Sequence, residues 1–176
     1  WLVYHKSIGN DKKVNLNLTD GQSSSSTSYF QSTDPTSSVF YLGTESSGNW
    51  SGYNMIGYLF SGVENYSSFG SYTGNGSTDG PFVFTGMRSK FILIKQSSTN
   101  GQEWAIFDTE RDSVNAADSI LQPPDSGQEY TSSTYEIDIL SNGFKLRGTN
   151  ARINQSSETY IYCAFSENPF KYARAR

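Results

Sequence analysis

Two stretches of this chain read as copies of one module, and that repetition restricts the folds open to it. Trp1-Leu-Val-Tyr-His5 and Trp104-Ala-Ile-Phe-Asp108 share the order Trp, apolar, β-branched, aromatic, polar. Phe40-Tyr-Leu-Gly-Thr44 matches Phe144-Lys-Leu-Arg-Gly-Thr149. With Gly43 set against Gly148, Met55–Ser61 falls on Tyr160–Ser166 without a gap. Anchors repeated in one order point to a duplicated supersecondary unit. The pairs Trp1/Trp104, Phe40/Phe144 and Phe60/Phe165 are therefore expected at equivalent places in two superimposable units, residues 1–66 and 91–176. Between them, residues 67–90 read as a junction with one short strand: Gly70, Gly74, Gly76 and Gly80 permit tight turns but build no core.

The units are not complete to the same degree. The apolar run Phe91–Ile94 precedes Trp104, and nothing similar precedes Trp1. The expectation is that the sequence is a fragment of a longer polypeptide, or that a neighbouring chain supplies the opening strand. An unpaired sheet edge is either covered or paired with another chain, so a homo-oligomer is expected. The aromatic tail residues Phe170 and Tyr172 are its candidate contacts.

Period-two patterning decides the fold class. Trp1–Lys6, Val14–Leu18, Val39–Leu42, Tyr53–Phe60, Pro81–Phe84, Phe91–Lys95, Trp104–Asp108, Tyr135–Leu140, Phe144–Arg147 and Tyr160–Phe165 all read as strands. Asn100-Gly101 and Asn142-Gly143 are hairpin-turn dipeptides. Val114–Leu121 gives the only helical hint, one short turn. Abundant Ser, Thr, Gly and Asn with 12 Tyr and 11 Phe suit an antiparallel, jelly-roll-like β-sandwich.

Several function classes find no support in the residues. A formal charge of −4 without a Lys/Arg stripe argues against a nucleic-acid partner, and no apolar run is long enough to insert in a membrane. His5 is the only histidine, and its counterpart is Asp108, so no Ser-His-Asp or His-based metal arrangement is duplicated. The single cysteine, Cys163, alternates with apolar neighbours like a small core residue. Asp108, Glu110 and Asp112 would share one face if their segment were a strand, but the pattern lacks the glycine and bidentate glutamate of a calcium loop. No catalytic residue, metal site or cofactor is expected.

Aromatic residues beside polar loops remain. Trp50, flanked by Gly48, Asn49, Ser51 and Gly52, combines with Tyr53, Tyr29 and Phe30 as a candidate carbohydrate or receptor platform. Flat rings stack on sugars while nearby amides and hydroxyls hydrogen-bond. The alternative is that Trp50 caps a sheet edge or packs on a neighbouring subunit.

Gly70-Ser-Tyr-Thr-Gly-Asn-Gly76, Asp79-Gly-Pro-Phe-Val-Phe-Thr-Gly-Met-Arg88, Phe91–Lys95, Trp104-x-Ile-Phe-Asp108, Ser141–Gly148, Tyr160-Ile-Tyr-x-Ala-Phe165 and Asn168–Ala173 together resemble a domain family of unknown function. That family is common in tail-fibre-like and other structural proteins of marine bacteriophages, often behind a concanavalin-A-like lectin domain. The resemblance implies a virion-surface, extracellular protein whose task is attachment to a host receptor or glycan. Fibre proteins of this kind imply a trimer. A purely structural virion module is the alternative reading, and a glycan-cleaving enzyme the third. The family implies no catalytic residue.

Overall fold

A strand is stable in a sheet interior only when both of its edges find partners, and Tyr160–Phe165 is the run that does so most completely. The computed structural model describes residues 1–24, 27–123 and 125–169, and over them the protein is all-β. In chain order the first half holds β1 (Leu2–Val3), β2 (Lys12–Asn15), β3 (Ser23–Ser24) and the short helices α1 (Thr27–Phe30) and α2 (Ser46–Asn49). Then follow β4 (Ser67–Thr73), β5 (Phe82–Phe84), β6 (Ser89–Gln96), β7 (Ala105–Asp108), β8 (Ser119–Ile120) and β9 (Tyr130–Thr131). A 3₁₀ turn (Ser133–Tyr135), β10 (Ile137–Leu140), β11 (Gly143–Leu146), α3 (Ala151–Asn154) and β12 (Thr159–Ser166) complete it.

Two antiparallel sheets, β4-β12-β6-β7 and β10-β11-β5, face each other across the main core. Alternation places Tyr160, Tyr162 and Ala164 of β12 inward beside Ile92 and Ile94 of β6 and Phe107 of β7. From the other sheet come Ile137, Ile139, Phe144, Leu146 and Val83. Ala117 bridges to Ile137 and Leu121 to Ile106, so the segment around β8 joins the two sheets along one side. The edge strands left on the other side are β4 and β5.

The hairpin β1-β2 covers the outer face of the larger sheet, where Ile8 and Val14 pack on Ile161 and Trp104. The indole N–H of Trp104 donates to the Asn15 carbonyl at 2.9 Å. Lys95, fully buried on that face, donates from Nζ to the carbonyls of Thr19 and Gln102. The N-terminal arm is thus pinned to the β6–β7 turn, a hairpin that the Asn100-Gly101 dipeptide correctly marked.

Several expectations are corrected. Residues 67–90 are not a coreless junction: β4 and β5 enter both sheets, and Val83 is core. Gly70 lies in a strand, where a Cβ would come within 2.7 Å of the Tyr162 hydroxyl; it is small to admit a ring, not to make a turn. The β10–β11 turn is Ser141-Asn142 rather than Asn142-Gly143, because Leu140 pairs with Gly143. No helix forms at 114–121; the residues there bridge the sheets. Val39–Leu42 and Tyr53–Phe60 are not strands.

A local motif recurs between the two expected units, but their anchor residues do not occupy equivalent places. Gly43 and Gly148 each press against a carbonyl, where a Cβ would sit 2.1 Å from Ser28 O or 2.0 Å from Thr134 O. Each then leads into a four-residue helix that a side-chain clip closes: Asn49 Nδ2 donates to Gly43 O at 2.7 Å, and Asn154 Nδ2 to Gly148 O at 3.0 Å. The anchor pairs, however, sit in unlike surroundings. Trp104 is 4% exposed but Trp1 68%, and Phe144 0% but Phe40 42%. Phe60 is exposed, whereas Phe165 is half-buried in β12. A clip needs only local atoms; a buried strand needs neighbours that the first unit does not have among the described residues.

Truncating Phe144 to Ala is expected to cost ~3–5 kcal/mol, as buried aromatic truncations do. Phe40→Ala, at its matched but exposed position, should stay within ~0.5 kcal/mol of the parent. Urea unfolding of the two variants, with equal losses as the contrary result, tests this difference.

Candidate functional site

The loop that carries Trp50 is built by backbone bonds at its base and a turn at its tip. Gly43 N–H donates to Tyr29 O at 2.7 Å and Glu45 N–H to Ser28 O at 3.0 Å, fastening the loop to α1. Beyond α2, Tyr53 N–H donates to Trp50 O at 3.2 Å, and Gly52 takes φ +80°. Positive φ at the third residue is the requirement of a type II turn, and no atom lies within 4 Å of where a Gly52 Cβ would be. The glycine is there for its conformation. The turn sets the side chains of its first and last residues side by side: the Trp50 and Tyr53 rings are 4.5 Å apart at 30°. They are 56% and 63% exposed, with Asn49 and Ser51 also exposed beside them.

Tyr29 and Phe30 lie elsewhere. Phe30 is buried and meets Tyr4 edge-on at 5.5 Å, so α1 turns it into the molecule. Tyr29 is half-buried with Lys13 Nζ 4.9 Å from its ring centre. Both lie at the loop's base and leave Trp50 and Tyr53 as its exposed ring pair. Phe170 and Tyr172 lie outside the described residues.

The groups with chemical potential are committed to structure. Asp108 pairs with Arg111 at 2.6 Å, Glu110 with Lys90 at 2.5 Å, and Asp112 accepts from the Ser119 N–H and hydroxyl at 2.9 and 3.0 Å. β7 ends at Asp108, so the three carboxylates do not line one strand face as their spacing suggested. Among the described residues, no group of three His, Cys, Asp or Glu is placed to hold a metal ion. Cys163 is partly buried, and burial pushes its thiol up to about 12, which keeps it protonated. Burial also pulls Lys95 down to about 8 against the nearby Asp20 and Glu103.

His5 is buried under the N-terminal arm. Its Nε2 lies 3.1 Å from the Tyr162 carbonyl, which only accepts, so that nitrogen carries the proton; Nδ1 accepts from Ser7 N–H at 3.1 Å. Burial lowers its pKa below the ordinary 6.5, opposed by the Tyr162 carbonyl and assisted by Lys6. A polar cleft of about 220 Å³ is lined in part by Asn65, Arg88, Ser141, Ser166 and Asn168. Its guanidinium is occupied, donating to Glu167 and to the Ile139 carbonyl, each at 2.8 Å. Sequence reading missed this cleft because its residues come from four separate loops and strand ends.

Fold and surface together define a β-sandwich domain that presents aromatic rings on a polar loop. The chain belongs to a family described as a domain of unknown function, DUF7483, whose model matches residues 1–169. No curated protein and no solved structure matches it. No helix among the described residues is long and apolar enough to cross a membrane.

Both ring nitrogens of neutral His5 are used, and protonating Nδ1 breaks the Ser7 bond. Because the folded pKa is lowered, the stabilisation is full above the unfolded value of 6.5 and drains as pH falls through the folded value. Chemical unfolding between pH 7.5 and 5 should therefore show declining stability in the parent and a flatter profile in His5→Gln. Parallel profiles would show that His5 does not couple folding to pH.

Proposed function

We propose that this domain is a non-enzymatic surface module that attaches to a host glycan or receptor, of the virion-surface kind that its sequence motifs resemble. The observation that carries this reading is the Trp50–Tyr53 pair, two adjacent rings more than half exposed on a turn that Gly52 fixes. Exposed Trp and Tyr combine a large apolar face with a polar tip, which suits the alternating apolar and hydroxyl faces of a pyranose. Exposed Asn49 and Ser51 supply hydrogen-bonding groups beside the rings. The engagement of His5 and the acidic residues in structural bonds supports binding rather than turnover.

A second reading, a purely structural virion module, draws on a different observation: the continuous exposed apolar run that follows Tyr53.

A glycan array probed with the soluble domain separates these. Binding to a bacterial surface polysaccharide that Trp50→Ala weakens at least tenfold, about 1.4 kcal/mol, is the expected result, with Phe82→Ala as an unaffected control. Failure of the parent to bind, or equal binding by Trp50→Ala, favours the structural module. Release of reducing ends from the bound polysaccharide would instead indicate an enzyme.

A further inference from the structure

Residues 54–61 stand at the same sequence separation from α2 as β12 does from α3, and they carry a comparable apolar run. In β12 that run is the middle of a sheet, with β4 on one side and β6 on the other. In the first unit it is extended chain with no strand beside it among the described residues. Met55, Ile56, Tyr58, Leu59 and Phe60 are consequently 50%, 79%, 65%, 68% and 65% exposed. Single exposed apolar residues are ordinary, but a contiguous patch above a few hundred Å² marks an interaction surface.

We propose that residues 54–61 become a strand by adding to the outer edge of β4 in a second copy of this chain. Three observations select that partner. β12 is the only strand paired with β4, so beyond the bridge at Ser67 the outward backbone groups of β4 have no neighbouring strand among the described residues, and its seven residues nearly match the eight of the segment. Within the chain this edge is filled only at its first residue, Ser67, which bridges to Val63. Val63 and Ser67 close a tight turn through bonds of 3.0 and 2.9 Å, and the Ser67 hydroxyl donates to Ser61 O at 2.7 Å. The chain then leaves β4 and lies over the sheet face, with Phe60 5.5 Å from Phe165. Finally, Met55 to Phe60 expose roughly 650 Å² of side chain when aromatic residues count ~150–250 Å² each, most of one partner's ~800 Å² share of a stable interface. Reciprocal addition, each copy giving a strand and receiving one, is self-complementary and closes on a two-fold axis.

Sedimentation equilibrium of the intact chain at micromolar concentration is expected to give twice the single-chain mass. Ile56→Asp/Leu59→Asp, at positions exposed in the single chain, should weaken association at least tenfold while keeping the β-sheet circular dichroism. Tyr58→Cys/Ser71→Cys in a Cys163→Ser background should give a covalent dimer on mild oxidation. A monomeric parent, an oligomer indifferent to the two aspartates, or a disulfide closed within one chain would overturn the proposal. If the aspartate variant unfolds, the disulfide arm decides alone. Trp50→Ala should leave the mass unchanged, so loss of ligand binding and loss of association are told apart.

Discussion

The stacked pair Tyr72 and Tyr160, 5.0 Å apart and 10° from parallel, is the contact on which both sheets depend. Each ring fills the space between the sheets, and each hydroxyl must find a partner there because an unpaired buried hydroxyl costs ~1–3 kcal/mol. Tyr160 donates to Ala151 O at 2.5 Å and accepts from Gln155 N–H at 2.7 Å; Tyr72 donates to Ile153 O at 2.7 Å. Both hydroxyls thereby fasten α3 across the end of the sandwich. Burial pushes Tyr160 up to about 12 and raises Tyr72, so both remain neutral donors. Phe144 then meets Tyr72 and Tyr162 edge-on, at 6.0 and 5.6 Å, and carries the contact to the second sheet.

The layer outside the larger sheet is held by a different kind of force. Its apolar cluster is small, and polar anchors do the rest: Lys95 to two carbonyls, His5 to the Tyr162 carbonyl, Gly21 N–H to Asn100 Oδ1. Polar anchors of this kind are directional, so they fix where the arm lies more firmly than an apolar contact of equal area would. The arm in turn shields Ile161 and Leu93, while the aromatic end of the same face, around Phe165 and Phe69, stays only half covered. The exposed aromatic and apolar side chains of residues 50–60 accordingly lie on the first unit's loops rather than on the sandwich core.

The motif shared by the two halves shows which features of a fold similar stretches of sequence carry with them. The close approach of Gly43 or Gly148 to a carbonyl, the four-residue helix and the asparagine clip recur because every participating atom lies within a few residues or in one adjoining turn. The strand that follows recurs only where β4 and β6 flank it. One module supplies a core and the other a surface, from nearly the same instructions.

Reading the residues alone was enough for the all-β class, the five longer strands of the second unit and the hairpin around Asn100-Gly101, since side-chain alternation and turn chemistry are local properties. It also singled out Trp50 and Tyr53, because glycine and serine around an aromatic residue mark an exposed loop. It did not show that Phe30 turns inward, that Gly70 sits in a strand beneath Tyr162, or that Lys95 is buried among carbonyls. It read Tyr53–Phe60 as a strand and left its partner open. Those outcomes depend on which segments lie side by side, a matter of distant contacts and of backbone groups that must be paired or left bare; only the tertiary structure decides it.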